Sequence, residues 1–506
     1  MAVRTGLGRP DETPLAETGR RKRHSGAPRI SDAEGSQKRT DRWDLTCPRK
    51  PSTGATDRVI LSSRDQAKAR ARAAAPVKAD AELVRRQNRG LVLATLRRLS
   101  PIARVDLGTA TDLSPATITS ITADLMSEGL IETVTGEAGD PADGKGVVRG
   151  RPRVLLRLDA DAAYVLSVKI AINTAHLLLC DFAGAEVARR LVRLRTLTET
   201  RESFPQTLIR VMREFLAAEG VGSGRVAEIG VACQGFVDLT RGAVVWSPAF
   251  TERNIVLVEP IQMAFGVPCF MTNDANMIAE ALNWLDPVRY GGTFAVVFID
   301  YGVGMGLFSE GRLHMGADGS AAEFGHMNHL PNGPLCRCGR RGCVEAFIAD
   351  YAIYREARGM SPDTDPGDAR PDPDELLALE RAAAEGDPAI RKVYEDAGTA
   401  LGYALARVMA IVNPARIIFT GQSTRALPLM EPAMNRAIEA ALVADLRHST
   451  VIETLPWQED MISKGVVVSA LARLDRQVFA DPGSAMRLLG RSAQAREVAA
   501  ADSGAT

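Results

Sequence analysis

Residues 323–345 read EFGHMNHLPNGPLCRCGRRGCVE. Of the seven cysteines in the chain, Cys336, Cys338 and Cys343 fall in this one loop, while Cys47, Cys180, Cys233 and Cys269 are scattered. A disulfide framework needs more cysteines, more evenly placed. Clustered thiols beside a histidine form a metal pattern instead. Thiolates from Cys336, Cys338 and Cys343 with the imidazole of His326 fill a tetrahedral shell, and Gly339 and Gly342 can take the positive φ that so tight a wrap requires. Three sulfurs and one nitrogen leave no open position for an activated water, so the spacing predicts a structural Zn2+.

Around this loop the composition is that of ordinary globular material, 506 residues with 45% hydrophobic and 25% charged. Such a length supports two or more domains with a sizeable core. No apolar run reaches the roughly 18 to 20 residues of a spanning helix, and the basic, polar N-terminus lacks the apolar centre of a secretory signal. A cytoplasmic location with no membrane partner is therefore expected. Lys and Arg set against Asp and Glu give +9 for residues 1–153 and −9 for the rest. A basic front end on an acidic body points to a polyanion partner, the alternative being a tail that only keeps the chain in solution.

Residues 1–78 carry Arg, Ser, Gly, Pro and Thr without periodicity, including Arg20-Arg21-Lys22-Arg23, and are expected to form a disordered basic tail. Residues 83–99 then read as a helix with Val92, Leu96 and Leu99 on its apolar face and Arg85, Arg86, Arg89, Arg97 and Arg98 off it. Pro101 ends it, and 104–111 read as a second, short helix. Ser114 as N-cap and Pro115 at the first helical position start a third. In it Ile118, Ile121 and Leu125 face inward, and Thr117, Thr119 and Ser120 outward. Residues 130–134 and 153–158 read as paired strands around a Gly- and Asp-rich loop that ends in Gly150-Arg151-Pro152. This order predicts a winged helix-turn-helix over 79–158 with double-stranded DNA as its partner. Ser114, Thr117, Thr119 and Ser120 suit major-groove contact, and Arg151 suits a narrow minor groove.

From 159 to 475 the pattern is α/β. Residues 165–170, 176–180, 229–233 and 294–299 read as strands, and 204–219, 276–285 and 394–412 as helices. Two α/β subdomains sharing a cleft account for this order. Residues 476–506 are expected to be a C-terminal tail.

Glu323-Phe324-Gly325-His326 followed by CRCGRRGCVE resembles the ROK family of bacterial repressors, open reading frames and sugar kinases. The likeness extends over Asn273-Asp274-Ala275-Asn276, Gly302-Val303-Gly304-Met305-Gly306, Asn413-Pro414-Ala415-Arg416-Ile417-Ile418 and Lys464-Gly465, about residues 82 to 475 in all. It implies an actin-like, sugar-kinase-like body of two subdomains carrying the zinc loop. The helix-turn-helix is similar to that of the family's repressors. The resemblance also implies that Asn273, Asp274, Glu323, His326 and Glu345 hold a sugar, for which fixed carboxylates are suitable acceptors of hydroxyl protons. Zinc on one nitrogen of His326 would fix the ring for the sugar on the other side. Asp274 stands at the position of the general base in the family's kinases.

Kinases of the family resemble one another in an Asp-x-Gly-Gly-Thr turn, but here the stretch reads Lys169-Ile170-Ala171-Ile172-Asn173, without the Asp or the glycines. Thr420-Gly421-Gln422 likewise replaces the Gly-Gly expected after Asn413-Pro414. No catalytic residue is therefore expected. The reading is a non-catalytic, sugar-responsive transcriptional regulator, a repressor released from its operator by a sugar or sugar phosphate and acting as a homodimer or homotetramer. An ATP-dependent sugar kinase with an appended DNA-binding domain is the alternative. Ala322 and Ala249 depart from the family's usual Gly and Asn, and Asp112 replaces the common turn Gly while tolerating the left-handed conformation.

Overall fold

The run 164–171, YVLSVKIA, is apolar at almost every position, the pattern of a strand covered on both faces. In the computed structural model, which describes residues 81–134, 154–447 and 449–484, it is the central strand of a five-stranded sheet. The expected basic tail, Arg151 with the tip of the predicted hairpin, and residues 485–506 lie outside the described residues.

The described chain opens with helices α1 (Ala81–Leu99), α2 (Arg104–Thr111) and α3 (Pro115–Ser127). Strands β1 (Ile102–Ala103) and β2 (Ile131–Val134) pair antiparallel on either side of β3 (Leu155–Leu158). Cap chemistry fixes the start of α3: Ser114 Oγ accepts from the Thr117 N–H at 3.2 Å, and Pro115 has no N–H to leave unpaired. Asp112 closes α2 at φ 56°, the left-handed turn expected of it.

Helix α1 corrects the expectation. Its buried apolar stripe is Val92, Leu93 and Leu96, whereas Leu99 is 51% exposed. Arg89 and Arg97, expected to point away, are buried. The cause is a second covering surface from the far end of the chain. Arg97 donates to both carboxylate oxygens of Asp475, at 3.0 and 2.8 Å, and to the Phe182 carbonyl. Arg89 donates to the Phe479 carbonyl and pairs with Glu128. Phe479 is itself buried, edge-on against Phe182, so the residues just past 475 are packed rather than trailing. One hydrophobic cluster runs from Val92, Leu96 and Ile118 through Val165 and Leu178 to Leu471 and Phe479.

The first part of the body contains β4 (Tyr164–Ala171), β5 (Thr174–Asp181), β6 (Glu186–Arg193), α4 (Ser203–Ala218), β7 (Val226–Cys233), β8 (Phe236–Asp238), β9 (Ala243–Trp246), β10 (Ile255–Val256), α5 (Val258–Phe265), β11 (Cys269–Asn273) and α6 (Asp274–Leu285). The second contains β12 (Phe294–Ile299), β13 (Val303–Ser309), β14 (Arg312–Leu313), α7 (Glu345–Ile348), α8 (Asp350–Ala357), α9 (Pro373–Glu385), α10 (Pro388–Val412), β15 (Arg416–Thr420), α11 (Leu427–Ala441), β16 (Val451–Thr454) and α12 (Met461–Arg473). Two five-stranded sheets share one plan, β11-β7-β4-β5-β6 and β16-β15-β12-β13-β14. In each, an antiparallel meander makes one side and two added parallel strands the other. The predicted helix 394–412 starts earlier, at Pro388, because Asp387 caps it through the Ala389 and Ile390 N–H groups. No helix among the described residues is long and apolar enough to cross a membrane.

Helix α6 lies on the second sheet, α12 on the first, and the two pack against each other, joining the lobes through one core cluster. Their approach depends on Gly465, where a Cβ would stand 1.9 Å from the Met277 carbonyl oxygen. Gly465→Ala is expected to force the helices apart and lower stability by about 1–3 kcal/mol in urea unfolding. An unchanged midpoint would mean that this contact yields freely.

Candidate functional site: a cavity between the sheets

Strands β7, β11 and β12 lead toward a cavity of about 300 Å³ between the lobes, the place where parallel strands commonly present ligand-binding residues. Asn273 ends β11 and caps α6: its Oδ1 accepts from the Ala275 N–H at 2.9 Å and its Nδ2 donates to the Gly235 carbonyl at 2.8 Å. Both ends of its amide are thus already engaged. Asp274 follows, with Oδ1 accepting from the Ala275 N–H at 2.9 Å. Burial pushes its carboxyl above the usual range, with Lys169 opposing. Burial also pushes Glu323 up to about 7, with His326 opposing. Glu345 opens α7, its Oε2 accepting from the Val303 N–H at 3.1 Å and its Oε1 from the Tyr351 hydroxyl at 3.3 Å. The structure brings Asn273, Asp274, Glu323, His326 and Glu345 to this one cavity.

The thiol loop forms the adjoining wall. One ligand atom from each of His326, Cys336, Cys338 and Cys343 lies within 4.8 Å of the others, a group that could hold a metal ion. His326 Nδ1 is 3.6 Å from Cys336 Sγ, and the sulfurs of Cys338 and Cys343 are 3.8 Å apart. Gly339 and Gly342 have φ of 86° and 70°, the wrap that the spacing predicts. Using Nδ1 for the metal leaves Nε2 of His326 for a ligand. The ring also packs against Phe236 and Trp246, with centroids 5.1 and 5.9 Å away.

Sequence reading missed several lining residues. Trp246 comes from the short strand β9, which has no strong pattern of its own, and Asp300 and Tyr301 from the turn after β12. An acid directly after the apolar run 294–299 is a signal that could have marked Asp300. Arg337, inside the thiol loop, lies 3.7 Å over the Tyr301 ring and donates to the Tyr301 carbonyl, so loop and cavity wall are tied together. The glycines of 302–306 have a packing reason. A Cβ on Gly306 would stand 2.4 Å from the Ala275 carbonyl oxygen and one on Gly304 3.0 Å from the Ala275 Cβ, so they let β13 approach α6.

On the N-terminal unit, Ser114, Thr119 and Ser120 are exposed. Thr117 is half-buried, and its hydroxyl sits 2.9 Å from that of Ser114, inside the cap rather than free for a partner. Thr119 is turned back on its own helix, donating to the Pro115 carbonyl at 2.7 Å.

Two like sheets enclosing a cavity that gathers several carboxylates, with α6 and α12 between them, define a sugar-kinase-like α/β body, here fused to an N-terminal unit of three helices and a small sheet. The ROK family model matches residues 166–465, and the chain belongs to the ROK family. Among curated relatives, the DNA-binding transcriptional dual regulator NagC of Escherichia coli K12 is 25% identical over 398 residues, 79% of this chain and 94% of that protein. The DNA-binding transcriptional repressor Mlc of the same organism is 26% identical, covering 73% and 90% of the two chains. The xylose repressor of Bacillus subtilis is 25% identical, covering 75% and 92%. Among solved structures, a ROK family transcriptional regulator described as a homolog of E. coli Mlc superposes with a TM-score of 0.64 at 24% identity, covering 80% of this chain and 99% of that one.

Proposed function

We propose that the protein is a sugar-responsive, DNA-binding transcriptional repressor that a sugar or sugar phosphate releases from its operator. The observation that carries this reading is the extent of the likeness to named repressors, which takes in 90% of Mlc and 92% of the xylose repressor and so is not confined to a kinase-like body. The N-terminal unit is read as a winged helix-turn-helix whose third helix, α3, turns the exposed Ser120 and the start of the helix at Ser114 to the major groove; Arg151, outside the described residues, is read from its sequence alone as a minor-groove contact. Asn273, Asp274, Glu323, His326 and Glu345 are read as the sugar's partners, and the protein as a non-catalytic member of its family. Side chains of Lys169, Ala171 and Ile172 fill the end of the cavity where a phosphate-binding turn would need bare backbone.

The thiol cluster is read as structural zinc. A tetrahedron with Zn–S bonds of about 2.3 Å has S–S edges of about 3.8 Å, which the spacing of Cys338 and Cys343 matches at 3.8 Å. The ion would hold the loop closed while His326 and Arg337 present their free sides to the cavity.

Coupling has a physical route in the paired helices. Helix α6 starts at Asp274 in the cavity and reaches Trp284, which lies under the Arg98 guanidinium of α1 at 5.1 Å. Helix α12 starts beside Ile462 on the cavity wall and runs on to Asp475, which Arg97 grips. A sugar that draws the lobes together shifts α6 against α12, and the N-terminal unit with them. In a symmetric dimer or tetramer, that shift changes the spacing of two DNA-binding units.

Fluorescence anisotropy with a labelled duplex from just upstream of the gene tests the reading. Salt-sensitive binding is expected, with release by one sugar of a panel. Glu323→Ala should abolish release while leaving DNA affinity intact, and no sugar should stimulate ADP release from ATP. Binding no tighter than to unrelated duplex, or binding that persists in every sugar, would overturn the repressor reading.

A further inference from the structure

Lys169 interrupts the apolar strand β4 and lines the cavity. Its ammonium makes no hydrogen bond and no ion pair within 4.0 Å among the described residues; its neighbour is the Trp457 ring, with the centroid 5.8 Å away. Asp274, Asp300 and Glu459 act on it electrostatically without touching it. The first two carboxylates are partly committed to backbone: Asp274 accepts from the Ala275 N–H at 2.9 Å and Asp300 from the Tyr301 N–H at 2.8 Å. Arg337 also lines the cavity, and its buried Nε lacks a hydrogen-bond partner.

A half-buried ammonium that faces a cavity without a protein partner is incompletely solvated, and burial accordingly pushes the Lys169 pKa down. A ligand atom that completes its hydrogen bonding recovers the lost solvation. A neutral hydroxyl recovers part of it, whereas a charged oxygen adds the attraction of opposite charges to the hydrogen bond. We propose that Lys169 reads an anionic oxygen group on the effector, so that the cavity selects a monosaccharide carrying a phosphate ester or a carboxylate over its neutral parent. The ring of that sugar lies toward Glu323, His326 and Glu345, and its charged group lies at Lys169. This assignment rests on the sugar-cavity reading above and adds to it the residue that sets ligand charge.

The test is calorimetry on the full chain with glucose, N-acetylglucosamine and xylose, the 6-phosphates of the two hexoses, glucuronate, and inorganic phosphate alone. Wild-type protein is expected to prefer one anionic sugar over its neutral parent by about 10-fold to 100-fold, the worth of one hydrogen bond between charged groups. Whether the phosphate or the carboxylate arm responds identifies the source of the charge. Lys169→Met should lose that preference, and an unchanged circular dichroism spectrum and unfolding midpoint show that the variant is folded. A preference that survives Lys169→Met, or neutral sugars binding as tightly as charged ones, overturns the Lys169 assignment and leaves the sugar cavity standing. No heat from any sugar with wild-type protein overturns both.

Discussion

Arg97→Ala is expected to cost about 3–5 kcal/mol of unfolding free energy, the range for removing one partner of a buried ion pair. The side chains of Arg97 and Asp475 are each 2% exposed and joined through two hydrogen bonds. Truncation at Arg97 strands the Asp475 carboxylate and the Phe182 carbonyl, which Arg97 also serves. Asp475→Ala should cost a similar amount, because it strands the guanidinium instead. A double replacement, Arg97→Met with Asp475→Leu, should recover much of the loss, since a buried pair exchanged for apolar groups of similar volume is often neutral. Denaturant unfolding of wild type, the singles Arg97→Met and Asp475→Leu, and their double gives the coupling energy directly. Single variants within about 0.5 kcal/mol of wild type, the range of ordinary surface substitutions, would mean that the pair does not fasten α1 to the body.

Removing the metal is expected to have the second large effect. Elemental analysis should find one zinc ion per chain, and chelation or Cys338→Ser should open the loop 336–343. The consequences reach beyond the loop. Cys336 lies 3.5 Å from Glu345 Oε1, and Glu345 also holds the Val303 N–H, so a loosened loop frees the carboxylate that joins α7 to β13. Sugar binding should therefore fall by about 10–100-fold, the usual cost of disturbing groups that orient a metal site. DNA affinity in the absence of sugar should change far less, because α1, α2 and α3 do not touch the loop. Protein that is free of metal as purified and still binds sugar fully would refute the zinc reading.

The parts of the fold legible in the sequence are those decided locally. Ser114-Pro115 starts a helix because the cap and the missing N–H act within one turn. Residues 294–299 form a strand at the bounds that their unbroken apolar run suggests. The four metal-type ligands are close because three of them share one short loop. What was illegible depends on partners distant in the chain. Arg89 and Arg97 carry every mark of a solvated helix face, and only Glu128, Asp475 and the Phe479 carbonyl reveal why they are buried. Strand β6, EVARRLVR, is a charged sheet edge with a weak alternation, and nothing local separates it from a loop. In the cavity, Asn273 reads as a free amide until the Gly235 carbonyl and the α6 N-terminus are seen to use both its ends. Lys169 reads as a missing acid, and its position in the cavity emerges only once β4 is placed beside the second lobe.

The hydrophobic cluster that begins at Val92 and ends at Phe479 has a bearing on how such a protein can be cut and rejoined. A chimera that exchanges only the N-terminal unit, with a junction near residue 158, would transplant half of a core and leave the other half exposed on the recipient. Moving the segment that carries Leu474, Asp475 and Phe479 with the N-terminal unit keeps the Arg97 ion pair and part of that core together, while Val165, Leu178 and Phe182 stay with the body. Modularity in this chain follows the packing rather than the order of residues, and a functional graft needs two junctions instead of one.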